Sequence, residues 1–310
     1  MFSVIFPGQG SQLVGMCKDL HNKYSIIQDL FKEADDTLGF SLSNLVLNGP
    51  KEELDLTENT QPAIFLVSYA IFKLIKEEFK IDLDKAKFYA GHSLGEYSAL
   101  TAAGSLSFSD TLKILKIRGN AMQNSVPEGV GGMVAVLGSE IEVIKKIIDE
   151  NKDKYQCFIA NDNSLGQIVL SGKIGDLEKI MIDLKALNIK NIKLPVSAPF
   201  HCKLMNKATL VMKEEIPKLN FIEPKNILIS NVTGKEISDT IELKDLLVKQ
   251  IESSVRWRES VLFMIKKGVT QFLEIGPGKV LSGLIKRIDR NVKVIAINSE
   301  EDIKLININE

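Results

Sequence analysis

Gly91-His92-Ser93-Leu94-Gly95 sets a serine between two glycines at the spacing of a nucleophile for acyl chemistry. The apolar stretch at 87–90 before it reads as a strand. The stretch after it, through Tyr97, Ala99, Leu100 and Ala103, reads as a helix ending at Gly104. Between strand and helix, the glycines leave room for a sharp turn that exposes the hydroxyl, with the Leu94 amide and the helix N-terminus near any oxyanion that forms. The plainer alternative is a glycine-flanked turn with an inert serine. The strand and helix on either side favour the nucleophile.

A serine hydroxyl needs a base to attack at neutral pH, and the chain holds three histidines. His92 adjoins Ser93 inside the turn, where its ring reaches the neighbouring hydroxyl poorly. His21, in KDLHNKY, reads as part of a solvated helix face. His201, in LPVSAPFHC, is the remaining base, a packed loop histidine being its alternative reading. A gap of 108 residues between Ser93 and His201 is no objection, because triads assemble from distant loops. The widely spaced histidines and the lack of any carboxylate cluster at ligand spacing predict no metal site. Cys17, Cys157 and Cys202 form neither a CxxC nor a disulfide framework, which fits a reduced, intracellular compartment.

The elements that must position these groups follow an α/β rhythm. FSVIF at 2–6 reads as a buried strand, 17–38 as an amphipathic helix stopping before Gly39, and Asn59 and Thr60 as caps for a helix starting near Pro62. A further helix is expected from about Ser109, as its cap, to about Asn124. From 127 to 197 the order changes to strand, helix, strand, strand, helix, strand, with strands in MVAVLG, YQCFIA, QIVLSG and IKLPV. That is the βαββαβ pattern of a small ferredoxin-like unit. Strands at ILIS, QFLEI and KVIAI then return the chain to a mostly parallel sheet. The expected organisation is a large α/β domain of residues 1–126 and 198–310 carrying a ferredoxin-like insert, 127–197. A chain of 310 residues has ample material for both cores.

Composition excludes several classes. Thirty-nine Lys and Arg against 40 Asp and Glu leave a net charge of -1, which argues against a dominant nucleic-acid surface. No run of about 18 apolar residues is free of charge, so no membrane span is expected. MFSVIFPGQG reaches its turn too soon to read as a secretory leader.

Taken together, FPGQGSQ (6–12), GHSLGEYSAL (91–100), KIRGNAMQ (116–123), GQIVLSG (166–172), LPVSAPFHCKLM (194–205) and FLEIGPGKVLSGL (272–284) resemble the malonyl-CoA:acyl carrier protein transacylases of fatty-acid synthesis, and more distantly the acyltransferase domains of polyketide synthases. The segments span almost the whole chain in family order. The resemblance implies an α/β-hydrolase-like large domain and ping-pong transfer of malonyl from malonyl-CoA to the phosphopantetheine thiol of an acyl carrier protein through a seryl acyl-enzyme. It implies Ser93 as nucleophile, His201 as base, and the main-chain carbonyl of Gln250 in place of an acidic third member. The amides matching Gln9 and Leu94 would form the oxyanion hole. Arg118 would hold the malonyl carboxylate bidentately, which lysine does not do. Phe200, Met122, Asn161 and His92 are expected around the substrate; a bulky aromatic at 200 fits malonyl better than methylmalonyl. The family implies no cofactor and no metal. It also implies a cytoplasmic enzyme, here expected as a monomer, without nucleic-acid or membrane partners. A serine hydrolase shares the elbow but lacks a use for Arg118, and a non-catalytic docking module lacks a use for all three groups.

Overall fold

A computed structural model describes residues 1–196 and 198–307; Ser197, at the expected boundary of the insert, and the last three residues of the expected large domain lie outside the described residues. Among the described residues, ten strands form two sheets: β1 (Phe2–Phe6), β2 (Phe88–Gly91), β3 (Gly131–Leu137), β4 (Cys157–Ser164), β5 (Gln167–Lys173), β6 (Lys190–Lys193), β7 (Ile227–Ile229), β8 (Glu236–Ile237), β9 (Gln271–Ile275) and β10 (Lys293–Ile297). The larger sheet has the order β10-β9-β1-β2-β7-β8. Its pairings are parallel except that between β7 and β8. The smaller sheet, β4-β5-β3-β6, is antiparallel throughout.

Apolar strands buried on both faces suit a parallel sheet covered by helices, and β1, β2 and β9 are buried along their whole lengths. The largest core cluster lies against this sheet and includes Met133, Ala160 and Val169 of the smaller one. The smaller sheet has its own apolar layer, in which Val134, Val136, Ile168 and Leu170 pack on Ile144, Leu177 and Ile180 of its two helices. Hydrogen bonds from Val255 N to Ala160 O (2.8 Å) and from Asp162 N to Val255 O (3.0 Å) tie β4 to the segment between β8 and β9.

The sequence-predicted strands 2–6, 271–275 and 293–297 match the observed β1, β9 and β10. The order from 131 to 193 is likewise strand, helix, strand, strand, helix, strand. Three local expectations are corrected. The helix expected over 17–38 is two helices, Lys18–Lys23 and Ser25–Leu38, because Tyr24 is extended between them; Gly39 does close the second, in the left-handed region. The helix expected near Pro62 starts at Thr57, so Pro62 lies inside it. Asn59 and Thr60 instead bond back to the carbonyls of Glu53 (2.9 Å) and Leu54 (2.6 Å). Pro62 forfeits a single helix hydrogen bond, and burial of nearly every residue from Thr57 to Ile75 outweighs it. Finally, Ser107, not Ser109, caps the helix Phe108–Gln123 through its hydroxyl and the Asp110 amide.

Two of these helices bring polar groups to one place. Gly119 lets Phe108–Gln123 approach Thr57–Glu77, since a Cβ there would sit 2.5 Å from the Thr57 carbonyl oxygen. Arg118 and Gln61 meet across this contact.

Candidate active site

The strand β2 ends at Gly91 and the helix Gly95–Ala102 begins four residues later, so residues 92–94 make the whole reversal. Ser93 sits at its apex with φ 54°, in the left-handed region that costs a non-glycine residue energy. Neither flanking glycine tolerates a side chain: a Cβ on Gly91 would lie 1.9 Å from the Gly95 carbonyl carbon, and one on Gly95 would lie 2.3 Å from the Phe6 carbonyl oxygen. The turn is therefore clamped between the helix and β1, and the serine is the residue it presents.

His201 also has a positive φ, 57°, and is buried. Its Nε2 is 2.8 Å from Ser93 Oγ, and its Nδ1 is 2.9 Å from the carbonyl oxygen of Gln250. A carbonyl only accepts, so Nδ1 carries the proton and Nε2 is left to accept from the serine. Burial first, and then the nearby positive charge of Arg118, hold the imidazole down to about 3, so it is neutral at physiological pH. His92 turns away from this pair and meets Asn163 Oδ1 at 2.8 Å through its Nε2. His21 packs on Phe31 in a different part of the molecule, at 5.0 Å between rings.

Arg118 is 1% exposed, which removes it from any solvated face. Its Nη1 donates to Gln61 Oε1 (2.7 Å), and its Nη2 donates to Gln250 Oε1 (2.8 Å) and to Ser93 Oγ (3.2 Å). Its guanidinium lies 5.6 Å from the centre of the Tyr97 ring. Gln250 is thus used twice: its main chain faces His201 and its side chain faces Arg118.

These groups open into a cleft of about 230 Å³ between the two sheets. Gln9, His92, Ser93, Leu94, Arg118, Met122, Asn161, Phe200 and His201 all line it, whereas Gln250 stands behind it. Among the described residues, the amides of Gln9 and Leu94 have no hydrogen-bond acceptor. Met122 carries the Gln61 amide on its sulfur (3.7 Å), and Phe200 presents its carbonyl to Ser171 Oγ (2.5 Å). Apolar side chains from both sides, Met133, Val169, Leu194 and Val196 facing Val280 and Leu284, complete the walls. A neutral imidazole on a serine, a fixed cation beside it and apolar walls suit acyl transfer from a substrate with a distal anion.

Sequence reasoning passed over four polar residues here: Gln61, Glu96, Asn163 and Asn231. Glu96 is a carboxyl in a helix whose every residue is buried, five residues past Gly91. Burial pushes it up to about 7, and it accepts from Gln250 Nε2 at 2.6 Å. Asn231 accepts from the Ser93 amide at 2.7 Å. Two signals were available: a lone acid amid uncharged helix residues, and a polar residue just past ILIS, where strands of parallel sheets deliver ligand-facing groups. Among the described residues no group of three or more His, Cys, Asp or Glu side chains could hold a metal ion, and no helix is long and apolar enough to cross a membrane.

The sequence profile of the acyl transferase domain matches residues 3–300. A malonyl CoA-acyl carrier protein transacylase of Bacillus subtilis (strain 168) is 43% identical over 303 residues, covering 97% of this chain and 94% of the relative. Among solved structures, an acyl-carrier-protein-S-malonyltransferase from Bartonella henselae superposes with a TM-score of 0.95 at 41% identity, covering 98% and 97% of the two chains. Another, a type II PKS acyl-carrier protein in complex with its malonyl-transacylase, gives 0.93 at 38% identity, covering 98% and 97%. With its elbow, its histidine and its buried arginine in one cleft, the chain belongs to the acyl transferase domain family, among the malonyl CoA-acyl carrier protein transacylases.

Proposed function

We propose that this chain moves a malonyl group from malonyl-CoA to the phosphopantetheine thiol of an acyl carrier protein, with Ser93, His201, Arg118, Gln250 and the amides of Gln9 and Leu94 as its machinery. The observation that carries the reading is the 3.2 Å contact of a buried Arg118 with Ser93 Oγ, a carboxylate clamp set beside a nucleophile. His201 Nε2 takes the Ser93 proton as Oγ attacks the thioester carbon. The oxyanion forms against the Gln9 and Leu94 amides, then collapses to expel the CoA thiolate, which His201 protonates. The carrier thiol repeats the sequence in reverse, giving its proton to His201 and attacking the seryl ester, so that Ser93 regains its hydrogen.

The malonyl carboxylate would take over the bond from Arg118 Nη2 to Ser93 Oγ, while Gln61 and Gln250 keep the guanidinium in plane. Phe200, Met122, Asn161 and His92 shape the space around the acyl group. No cofactor enters any step. In this reading residues 1–126 and 198–310 form an α/β-hydrolase-like domain and 127–197 a ferredoxin-like insert; the sheet order β4-β5-β3-β6 supports the latter. The groups proposed for the site all come from one chain, which fits a monomer, and the three free cysteines fit a cytoplasmic setting.

The test is intact-mass analysis after exposure to a mixture of malonyl-, methylmalonyl- and acetyl-CoA. Malonylated Ser93 is expected to dominate and to persist until carrier protein is added. Rapid release of free malonate without an acceptor thiol would make the chain a hydrolase.

A further inference from the structure

The elbow is strained and the base is held by a carbonyl rather than a carboxylate, so something else must fix both. Asn231 lies just past β7, which pairs in parallel with β2, so it emerges beside the end of β2 where the elbow begins. All four of its polar groups are engaged. Its Oδ1 accepts from Ser93 N (2.7 Å) and its Nδ2 donates to Gly91 O (2.7 Å), one bond on each side of the turn. Its own amide donates to Glu96 Oε2 (3.3 Å), and its carbonyl accepts from Arg256 N (3.0 Å). The same Glu96 oxygen accepts from Gln250 Nε2 (2.6 Å), and that nitrogen also donates to the Ser93 carbonyl (3.0 Å).

We propose that Asn231 is a positioning residue for the acyl transfer: its side chain splints the elbow from Gly91 to Ser93, and Glu96 joins that splint to Gln250, whose carbonyl orients His201. The nucleophile and its base are thereby referenced to one buried carboxyl. The amide suits the place because it alone offers an acceptor to the Ser93 N–H and a donor to the Gly91 carbonyl at the same reach. Asn231 is 1% exposed and does not line the cleft, and its bond takes up the Ser93 amide, leaving the neighbouring Leu94 amide for an oxyanion. The inference rests on the proposed role of Ser93 as nucleophile, and its test separates the two.

Asn231→Ala is compared with the parent in two assays, after thermal melting has established that the variant is folded. One is the single-turnover rate of Ser93 malonylation by malonyl-CoA. The other is covalent labelling of Ser93 by phenylmethanesulfonyl fluoride, a neutral probe that makes no demand on Arg118. Displacing the elbow should slow both on the order of 100-fold, while KM for malonyl-CoA changes less than about threefold because Arg118 keeps Gln61 and Gln250. Asn231→Ser, which keeps one shortened hydroxyl, serves in place of a variant that does not fold and should lose about tenfold or more in both assays. A folded variant that is labelled at the parent rate, or one that loses only KM, overturns the proposal. A parent protein that takes the sulfonyl probe but no malonyl group would instead refute the malonyl reading while leaving the positioning role to be judged by labelling.

Discussion

Ser93 and His201 both occupy left-handed backbone, so the 2.8 Å between Ser93 Oγ and His201 Nε2 joins two strained residues. Because the His201 imidazole is kept neutral by burial and by Arg118, the acid limb of kcat/KM for malonylation should, with His201 as the proposed base, fall well below pH 6.5, the usual histidine value; a limb centred near 6.5 in a stopped-flow pH series would contradict this. Arg118→Ala should weaken malonyl transfer on the order of 100-fold or more while affecting acetyl transfer far less, and equal losses would remove the carboxylate clamp. Glu96 behaves oppositely to His201. Its folded-state value of about 7 lies above the ordinary 4.5, so its protonated form stabilises the fold at low pH and that contribution is lost as pH rises through 7. The stability of Glu96→Gln relative to the parent should therefore rise between pH 4.5 and 7, as measured by urea unfolding across that range.

At the scale of elements, the elbow is a packing device before it is a chemical one. A methyl group on Gly95 would press on the Phe6 carbonyl of β1, which is backbone and has nowhere to go. Gly95→Ala should cost about 3 kcal/mol or more by urea unfolding, and remove serine reactivity in whatever fraction folds. Elements of this kind are legible because their residue types are forced: the glycines of GHSLG, the alternation of strands and helices, and Gly39 as a helix terminator. Boundaries were less legible. Pro62 signals a helix start by its fixed φ, yet the helix runs five residues further back because tertiary burial outweighs one lost hydrogen bond. Tyr24 carries no sequence mark of the break it makes.

At the scale of the whole molecule, the cleft exists because two sheets meet, and an ion pair stands at the junction. Arg258 holds the buried Asp162 with two donors, Nε shared between both oxygens at 3.0 Å each and Nη2 at 2.9 Å from Oδ2. Asp162 follows Asn161 on β4, so the pair anchors the strand that supplies one wall of the cleft. Arg258→Leu leaves a carboxylate buried without its partner and should cost about 3 kcal/mol in urea unfolding. It should also raise KM for malonyl-CoA through movement of that wall. A stability change under about 0.5 kcal/mol would mean that the junction is held by the Val255 ladder and the apolar core alone.

By itself the sequence determined the alternation of elements, the exposed serine of GHSLG and, through the order of its six segments, the family. These are local or collinear properties, written in residue types and spacing. It also singled out His201 among three histidines, by exclusion and not by contact. Only the tertiary structure decided that Arg118 touches Ser93, that Gln250 serves the histidine with its main chain and the arginine with its side chain, and that Asn231 and Glu96 stand behind the elbow. The reason is physical: a hydrogen bond between residues 25 to 154 positions apart depends on sheet order and helix packing, and an Asn or a Glu looks the same in sequence whether it is solvated or buried behind Ser93.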